Sequence, residues 1–225
     1  QVITVKTRDN LSLQGWYKPG QSENAPVMVV FHGNAGHIGF RSHLMKFYSE
    51  AGMGVLLAEY RGFGGNPGDI SEEGLYLDAQ AYLDYLINHM SIREQDIVLY
   101  GESLGTGVAV EMASRYDIGA LVLEAPYDSM VSLAKVHYPY AMLVDKILID
   151  QYNSIDKIHS VNAPVLFLVA GKDKIIPTAS SKALFDKAGF PKIWQIFPEA
   201  EHNNFYMYGA DRVVQAFLKE YEIFK

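Results

Sequence analysis

The chain has 225 residues, of which 49% are hydrophobic and 20% are charged, an ordinary composition for a globular domain. Its formal net charge is −7 and its lysines and arginines are scattered without a basic stripe, so we expect no nucleic-acid partner. It has no cysteine, which excludes disulfides, thiolate metal ligands and a cysteine nucleophile. A chain of this length is expected to form one domain over residues 1–225.

No apolar run in the chain approaches the roughly 18 residues needed to span a bilayer. The chain begins with Gln1 instead of Met. We therefore expect a cytoplasmic protein, or a membrane-anchored or periplasmic one if an upstream segment was removed. The sequence leaves the oligomeric state open.

Short apolar runs bounded by Gly or Pro recur along the chain, as is typical of buried strands in a parallel sheet. The first two segments instead predict an antiparallel hairpin that turns around Asp9-Asn10. The predicted strands are 2–5, 11–17, 26–31, 54–59, 97–100, 120–123, 165–170 and 193–197.

Helical periodicity fills the gaps between these strands. Ser71, followed by two glutamates, predicts an N-cap with acidic residues at the positive end of the helix dipole. The alternation of strands and helices predicts an α/β fold with an open, mostly parallel sheet covered by helices on both faces. The predicted helices are 41–51, 72 to about 90, 104–116, 178–188 and 211–224.

The segment from about 127 to 162 breaks this alternation, because it contains no clear strand. It predicts a small helical cap inserted after the sixth strand, and long excursions of this kind are often functional lids. Its apolar side chains could bind an acyl chain or simply pack against the domain. These side chains are Met130, Tyr138, Tyr140, Met142, Leu143, Ile147, Leu148 and Tyr152.

The pentapeptide Gly101-Glu102-Ser103-Leu104-Gly105 has the G-x-S-x-G pattern of a nucleophile elbow. The bare pattern should occur by chance about 0.1 times in such a chain, but here it follows a predicted buried strand and opens a predicted helix. We therefore predict that Ser103 is a nucleophile and that the Leu104 N–H is an oxyanion donor. The alternative is a glycine-rich turn whose serine has no catalytic role.

A serine nucleophile requires a base, and that base requires a group that orients it. Among seven histidines, only His202 follows the last predicted strand, and we predict it as the general base. Asp173 follows the strand 165–170 and is the predicted orienting acid. Asp128 is the rival acid, and a helix-capping loop residue is the alternative role for Asp173. The order Ser, Asp, His along the chain is that of the α/β-hydrolases.

The segment His32-Gly33-Asn34-Ala35-Gly36 follows the third predicted strand and should provide the second oxyanion donor. We assign this donor to the Asn34 N–H, with Ala35 as the next choice. His32 is expected to pack and to form hydrogen bonds within its loop. His37 has the same expected role, or else it lines the mouth of a pocket.

Taken together, the chain resembles the α/β-hydrolases, specifically the small-lid serine esterases that include membrane-anchored depalmitoylase-like and serine-aminopeptidase-like members. By that resemblance Ser103, Asp173 and His202 occupy the triad positions, and Asn34 and Leu104 the oxyanion positions. The matching stretches come in family order and span nearly the whole chain. They are HGNAGHIGFR (32–41), EYRGFGGNPG (59–68), SEEGLYLDAQAYLDYL (71–86), GESLGTGVA (101–109), LEAPYDSM (123–130), APVLFLVAGKDKIIP (163–177) and EHNN (201–204).

The chain departs from this branch at two positions. Glu59 stands where the branch usually has Asp, and Asn66 where it has Ser or Thr, which affects loop and substrate detail. Arg61 is expected to hold its loop by ion pairing. Glu102, beside the predicted nucleophile, is expected either to repel anionic substrates or to bind a neighbouring amide.

The sequence predicts a serine hydrolase that cleaves a small-molecule or lipid-like ester or thioester through an acyl-enzyme, with no metal and no organic cofactor. A peptidase acting on small peptides is one alternative, and Glu102, Glu124 or Asp128 could then bind the peptide amino terminus. A binding protein that retains the fold without activity is another. A dehalogenase-like enzyme requires Asp at the elbow, so Ser103 argues against it.

Overall fold

The computed structural model describes residues 1–140, 143–189 and 191–224, in which helices pack around an eight-stranded sheet. The strands are β1 Val2–Lys6, β2 Ser12–Lys18, β3 Val27–Phe31, β4 Gly54–Ala58, β5 Ile97–Glu102, β6 Ala120–Glu124, β7 Val165–Ala170 and β8 Lys192–Phe197. The α-helices are α1 Ser42–Glu50, α2 Glu72–Asp84, α3 Leu104–Arg115, α4 Met130–His137, α5 Val144–Ile147, α6 Thr178–Lys187 and α7 Ala210–Glu220.

The strand order across the sheet is β1-β2-β4-β3-β5-β6-β7-β8. The strands β1 and β2 form an antiparallel hairpin, β2 pairs antiparallel with β4, and the strands from β4 to β8 pair in parallel. The predicted fold class is therefore confirmed. Because parallel strands end at the same edge of a sheet, the loops after β3, β5, β7 and β8 meet there.

Burial along the strands follows from their position in the sheet. Every residue of β3, β4 and β7 is buried, because both faces of these central strands are covered. Along β1, buried and exposed residues alternate, since the hairpin has one face in water. The hydrophobic core therefore lies on both sides of the parallel strands and under one side of the hairpin.

Several helix ends differ from the sequence prediction. Ser71 caps α2 as predicted, since its Oγ accepts a hydrogen bond from the Gly74 N–H at 3.1 Å. The last turn of that helical segment, Tyr85–His89, is a π-helix. The predicted helix 211–224 ends at Glu220, and nearby Glu222 has φ 57°, a conformation that cannot continue a right-handed helix.

The segment between β6 and β7 contains α4, α5 and two 3₁₀ turns, Ser154–Asp156 and Ile158–Ser160. Its later part is attached to the start of α2. The Glu72 carboxylate accepts the backbone N–H groups of Gln151 at 2.6 Å and Tyr152 at 2.9 Å. Asp150 Oδ1 also accepts a hydrogen bond from the Glu72 N–H at 2.7 Å. No helix in the described ranges is long and apolar enough to cross a membrane.

Candidate active site

Ser103 occupies a strained turn between β5 and α3. Its backbone angles, φ 52° and ψ −116°, lie in a region that residues with a side chain rarely adopt. Three hydrogen bonds hold its backbone there: its N–H donates to Glu124 O at 2.8 Å, and its carbonyl accepts the Thr106 N–H at 2.8 Å and the Thr106 hydroxyl at 2.7 Å. The turn directs the serine away from the sheet, at the edge where the parallel strands end.

The glycines on both sides of Ser103 are required by close packing. A Cβ atom on Gly101 would lie 2.6 Å from the carbonyl oxygen of Gly105. A Cβ atom on Gly105 would lie 2.0 Å from the carbonyl oxygen of Phe31 in the neighbouring strand. Both distances are far below van der Waals contact, so this elbow can form only with glycine at these two positions.

The structure brings Ser103, His202 and Asp173 into one hydrogen-bonded chain. His202 Nε2 lies 2.9 Å from Ser103 Oγ, and His202 Nδ1 lies 2.8 Å from Asp173 Oδ2. The side chain of His202 is 11% exposed and that of Asp173 is 3% exposed. The other oxygen of Asp173 accepts the N–H groups of Ile175 at 2.8 Å and Ile176 at 2.9 Å. The carboxylate is therefore fixed on one side and contacts the imidazole on the other.

The environment of Asp173 favours its charged form. Burial alone would raise the pKa of this carboxyl group, but the hydrogen bond with His202 and those from Ile176 and Ile175 outweigh burial and lower the pKa from its usual value of 3.8. The group is thus ionised at neutral pH. An ionised acceptor at Nδ1 keeps the proton on that nitrogen and leaves Nε2 able to accept the serine proton.

Asp128, the rival acid, is engaged elsewhere. Its Oδ1 accepts a hydrogen bond from Ser180 Oγ at 2.6 Å, and its N–H donates to the same hydroxyl at 3.1 Å. In the described part of the chain, the ring nitrogens of His202 contact only Asp173 and Ser103. Asp128 therefore connects its loop to α6 and does not orient the imidazole.

The segment 32–37, here called the oxyanion loop, runs directly against the elbow. A Cβ atom on Gly33 would lie 3.3 Å from both the Glu102 carbonyl oxygen and the Ser103 Cβ atom. Across the described residues, the N–H groups of Asn34 and Leu104 donate to no other group. Leu104 is the first residue of α3, where N–H groups lack partners within the helix. Two unused donors thus lie in the two chain segments that meet at Ser103, and their oxyanion role stays a prediction.

Two histidines of this region have structural contacts. His32 is buried, with Nδ1 2.7 Å from Gly33 O and Nε2 2.9 Å from Glu59 Oε1, so its expected role within the loop is confirmed. The second oxygen of Glu59 accepts the Ile38 N–H at 3.0 Å. Glu59 thus holds the oxyanion loop at both ends. The ring of His37 accepts the Gly39 N–H at 3.0 Å and caps a short 3₁₀ turn.

Arg61 forms the ion pairs that the sequence predicted. Its Nε donates to Asp78 Oδ1 at 2.9 Å, and its Nη1 donates to Asp9 Oδ2 at 2.7 Å. Asn66 holds the same loop, since its Nδ2 donates to Glu59 O at 3.1 Å and its Oδ1 accepts the Gln14 N–H at 2.8 Å. Arg61 and Asn66 therefore fix the loop after β4.

The expectation that Glu102 binds a neighbouring amide is wrong. In the described part of the chain its carboxylate accepts hydrogen bonds from Arg41 at both oxygens, with Nε at 2.8 Å and Nη2 at 2.6 Å. The expectation that Glu102 repels anionic substrates stays a prediction. Arg41 also donates from Nη1 to Ala35 O at 2.8 Å. Arg41 ends the stretch HGNAGHIGFR (32–41), but no pattern in the sequence predicts a role for it. The two partners lie 61 residues apart, so local pattern could not reveal their contact.

A cavity of about 470 Å³ opens between the oxyanion loop and the segment that follows His202. Its walls include Glu102 and Asn203, the chain neighbours of Ser103 and His202, as well as Glu124. Burial, together with the nearby charge of Glu102, raises the pKa of Glu124 from its usual 4.5 to about 8. Glu124 is therefore mostly protonated at neutral pH.

A second, more apolar cavity of about 560 Å³ lies under α4 and the segment after α5. Four of the side chains predicted for acyl binding or packing line it, whereas Tyr140, Leu143 and Ile147 are exposed at the surface. Met142 lies outside the described residues. The four lining side chains are Met130, Tyr138, Leu148 and Tyr152.

Across residues 1–140, 143–189 and 191–224, no group of three or more His, Asp or Glu side chains is arranged to hold a metal ion.

A mostly parallel sheet with a serine elbow after β5 and a histidine loop after β8 defines the α/β-hydrolase class. Residues 22–152 match the family model described as serine aminopeptidase, S33 (Hydrolase_4), and the chain belongs to this family.

Relatives and solved structures agree with this assignment. "Uncharacterized protein Rv2307c" of Mycobacterium tuberculosis is 40% identical over 203 residues, which cover 90% of this chain and 72% of the relative. Protein bem46 of Schizosaccharomyces pombe is 33% identical over 230 residues, covering 98% and 77%. The Pyrococcus furiosus esterase Pf2001 superposes with a TM-score of 0.80 at 18% identity, covering 98% of this chain and 91% of the esterase. At that identity, the likeness to the esterase concerns the fold alone.

Proposed function

We propose that this protein is a serine hydrolase that cleaves a carboxylic ester or thioester through an acyl-enzyme. The observation that supports this most directly is the unbroken chain of short contacts, 2.9 Å from Ser103 Oγ to His202 Nε2 and 2.8 Å from His202 Nδ1 to Asp173 Oδ2. A hydroxyl, a base and an ionised acid at these distances are the components of general-base-activated acyl transfer.

In the acylation step, Ser103 Oγ attacks the carbonyl carbon of the substrate while His202 Nε2 takes the hydroxyl proton. Asp173 holds the imidazole in the required tautomer and stabilises the imidazolium. The N–H groups of Asn34 and Leu104 bind the negative oxygen of the tetrahedral intermediate, and each lowers the barrier by about 3–4 kcal/mol when well aimed. The bond to the leaving group then breaks, and His202 returns the proton to the leaving oxygen or sulfur.

In the deacylation step, water attacks the acyl-enzyme carbonyl and gives a proton to His202. The bond between the carbonyl carbon and Ser103 Oγ breaks, the imidazole returns the proton to the serine, and a carboxylic acid is released. The scheme consumes only the ester and one water.

The cavity of about 560 Å³ under α4 is the candidate binding site for an acyl group longer than acetyl, because it lies in the segment where the sequence predicted acyl binding or packing. Its apolar lining favours an alkyl chain over a charged group. A series of nitrophenyl esters from acetyl to dodecanoyl tests this point, and we expect kcat/KM to peak beyond the shortest chains. A kcat/KM that falls steadily from the acetyl ester to the longer esters would contradict binding of a longer acyl group.

The reaction itself is tested by labelling with a fluorophosphonate, which reacts only with an activated serine. We expect the wild type to be labelled, Ser103→Ala to be unlabelled and His202→Ala to be labelled much more slowly. Ser114→Ala is the matched control, because that hydroxyl donates to Glu111 O on α3, away from the elbow. Equal labelling of the wild type and Ser103→Ala would end the proposal.

A serine peptidase is the second candidate, because the family description names aminopeptidases. Such an enzyme needs an acidic anchor for the substrate's amino terminus. Arg41 binds Glu102, Ser180 binds Asp128, and Glu124 accepts a hydrogen bond from the Tyr100 hydroxyl and is mostly protonated, so none of the three acids that the sequence suggested is a free, charged anchor among the described residues. A panel of peptide aminomethylcoumarins beside nitrophenyl esters separates the two functions, and higher kcat/KM on peptides with a free amino terminus would favour the peptidase.

A further inference from the structure

The side chain of Arg41 connects the two chain segments on either side of Ser103. Its guanidinium group binds both oxygens of Glu102 and donates a third hydrogen bond to Ala35 O at 2.8 Å. The group lies inside the protein, since the side chain of Arg41 is 10% exposed and that of Glu102 is 18% exposed. One planar group thus contacts the residue before the nucleophile and the residue after Asn34.

The sheet does not hold the oxyanion loop in place. Pairing between β3 and β5 ends at Phe31 and Gly101, before the loop begins. At the loop's ends, His32 contacts Gly33 O, and Glu59 accepts the Ile38 N–H. Within the described chain, residues 34–36 form a single hydrogen bond, the one that Arg41 donates to Ala35 O. Among the described residues, Arg41 therefore forms the only hydrogen bond to the middle of this loop.

The elbow depends on fixed surroundings as well. Ser103 has a strained backbone, and such conformations persist only where neighbouring groups hold them. Glu102 directly precedes Ser103 and is the last residue of β5, so a fixed Glu102 side chain also limits movement of the elbow. The same ion pair thus restrains both chain segments that provide the N–H groups beside the serine.

We propose that Arg41 and Glu102 form a positioning pair that sets the distance between the two oxyanion donors by connecting the oxyanion loop to the nucleophile elbow. This inference rests on the proposed serine hydrolase function. Neither side chain touches the reacting atoms, and both act through the N–H groups of Asn34 and Leu104. Such donors accelerate the reaction only when they are already aimed at the developing oxyanion.

The charge of Arg41 persists across the pH range of an assay. Burial would lower the pKa of this guanidinium, but the hydrogen bonds and the charge of Glu102 outweigh burial and raise the pKa above its ordinary value. The planar fork of arginine is also what allows three hydrogen bonds in one plane, which lysine cannot form. Arg41→Lys therefore keeps the positive charge and removes the planar arrangement of hydrogen-bond donors.

The test compares Arg41→Lys and Glu102→Gln with the wild type on a nitrophenyl ester. We expect kcat to fall about 10- to 100-fold in each variant while KM stays within about threefold, because misaligned oxyanion donors weaken binding of the transition state and not of the substrate. The kcat of the double variant should be only slightly lower than that of the more impaired single variant, because the two residues act as one unit.

A boronic acid inhibitor supplies a second readout. Ser103 Oγ adds to the boron of phenylethylboronic acid, its proton passes to His202, nothing leaves, and the tetrahedral adduct places an oxygen at the oxyanion position. We expect inhibitor affinity to fall in proportion to kcat/KM. If Arg41→Lys fails to fold, the kinetics and the inhibitor affinity of Glu102→Gln alone test the proposal.

Arg61→Lys is the matched control, since it disrupts another buried guanidinium paired with two carboxylates. It should lower the melting temperature and leave kcat within about twofold of the wild type at a temperature where the protein is folded. The positioning role is overturned if Arg41→Lys and Glu102→Gln behave like this control. A wild type that neither hydrolyses the ester nor reacts with the fluorophosphonate would instead refute the proposed function.

Discussion

The imidazole of His202 lies 2.9 Å from the hydroxyl of Ser103, although 99 residues separate the two along the chain. In the sheet, β5 ends at the elbow and β8 precedes the histidine loop, with β6 and β7 between them. The loop after β8 therefore reaches back across the ends of two strands. Asp173 lies in the loop after β7, the strand next to β8, and contacts Nδ1 of the histidine.

Replacement of Asp173 with Asn distinguishes the two candidate acids. We expect kcat for ester hydrolysis to fall about 10³- to 10⁴-fold, because an amide at this position favours the wrong tautomer of His202. Asp128→Asn is the matched control and should stay within a few-fold of the wild type, since Asp128 contacts Ser180. Steady-state kinetics on both variants, with circular dichroism to verify folding, makes the comparison. Equal losses in the two would contradict the assignment of the acid.

Replacement of Gly105 with Ala tests the packing of the elbow. The added methyl group would lie 2.0 Å from Phe31 O, so the helix or the strand must shift. We expect a loss of about 2–4 kcal/mol in the free energy of unfolding, as for other overpacked sites. At the control position Gly189, an added Cβ has its nearest neighbour at 3.9 Å, and Gly189→Ala should change stability by less than about 0.5 kcal/mol. Urea unfolding measures the free energy of unfolding of both variants. Similar losses in Gly105→Ala and Gly189→Ala would show that close packing does not require glycine at position 105.

Removal of the Glu72 carboxylate should loosen the segment between β6 and β7. This carboxylate accepts the N–H groups of Gln151 and Tyr152, and hydrogen bonds to charged groups contribute about 1.5–3 kcal/mol each. In Glu72→Ala we expect these two amides to exchange with deuterium at least about tenfold faster. Glu73→Ala is the control, because Glu73 lies in the same first turn of α2 and is exposed. Unchanged exchange at residues 151 and 152 would show that other contacts hold this segment.

The raised pKa of Glu124 makes stability depend on pH. Between about pH 4.5 and 8 the unfolded chain has lost this proton while the folded chain keeps it, so the free energy of unfolding falls as the pH rises through that window. Glu124→Gln cannot ionise, and we expect it to be more stable than the wild type by about 1–3 kcal/mol at pH 8.5. This difference should disappear near pH 4.5. Urea unfolding at both pH values measures it, and an equal difference at both would contradict the raised pKa.

Much of the fold could be predicted from sequence because it depends on local pattern. A run such as that of β7 is apolar at every position because both of its faces are covered, and Ser71 caps α2 through a bond to a residue three positions away. The elbow is equally local, since Gly101 and Gly105 are required by the turn in which they lie. The positions of Ser103, Asp173 and His202 after their strands follow from the same patterns.

The contacts that surround the serine could not be predicted in this way. Arg41 and Glu102 meet across 61 residues, and Glu72 and Tyr152 across 80. Whether such side chains touch depends on the order of strands in the sheet and on how loops pack over its edge. A charged residue has no periodic pattern that identifies its partner, so the sequence could not distinguish a free Glu102 from a paired one. The sequence by itself thus determined the strands, the elbow and the order of the three predicted site residues. Only the tertiary structure decided which charges are neutralised around them, because ion pairing depends on distance in space and not on separation along the chain.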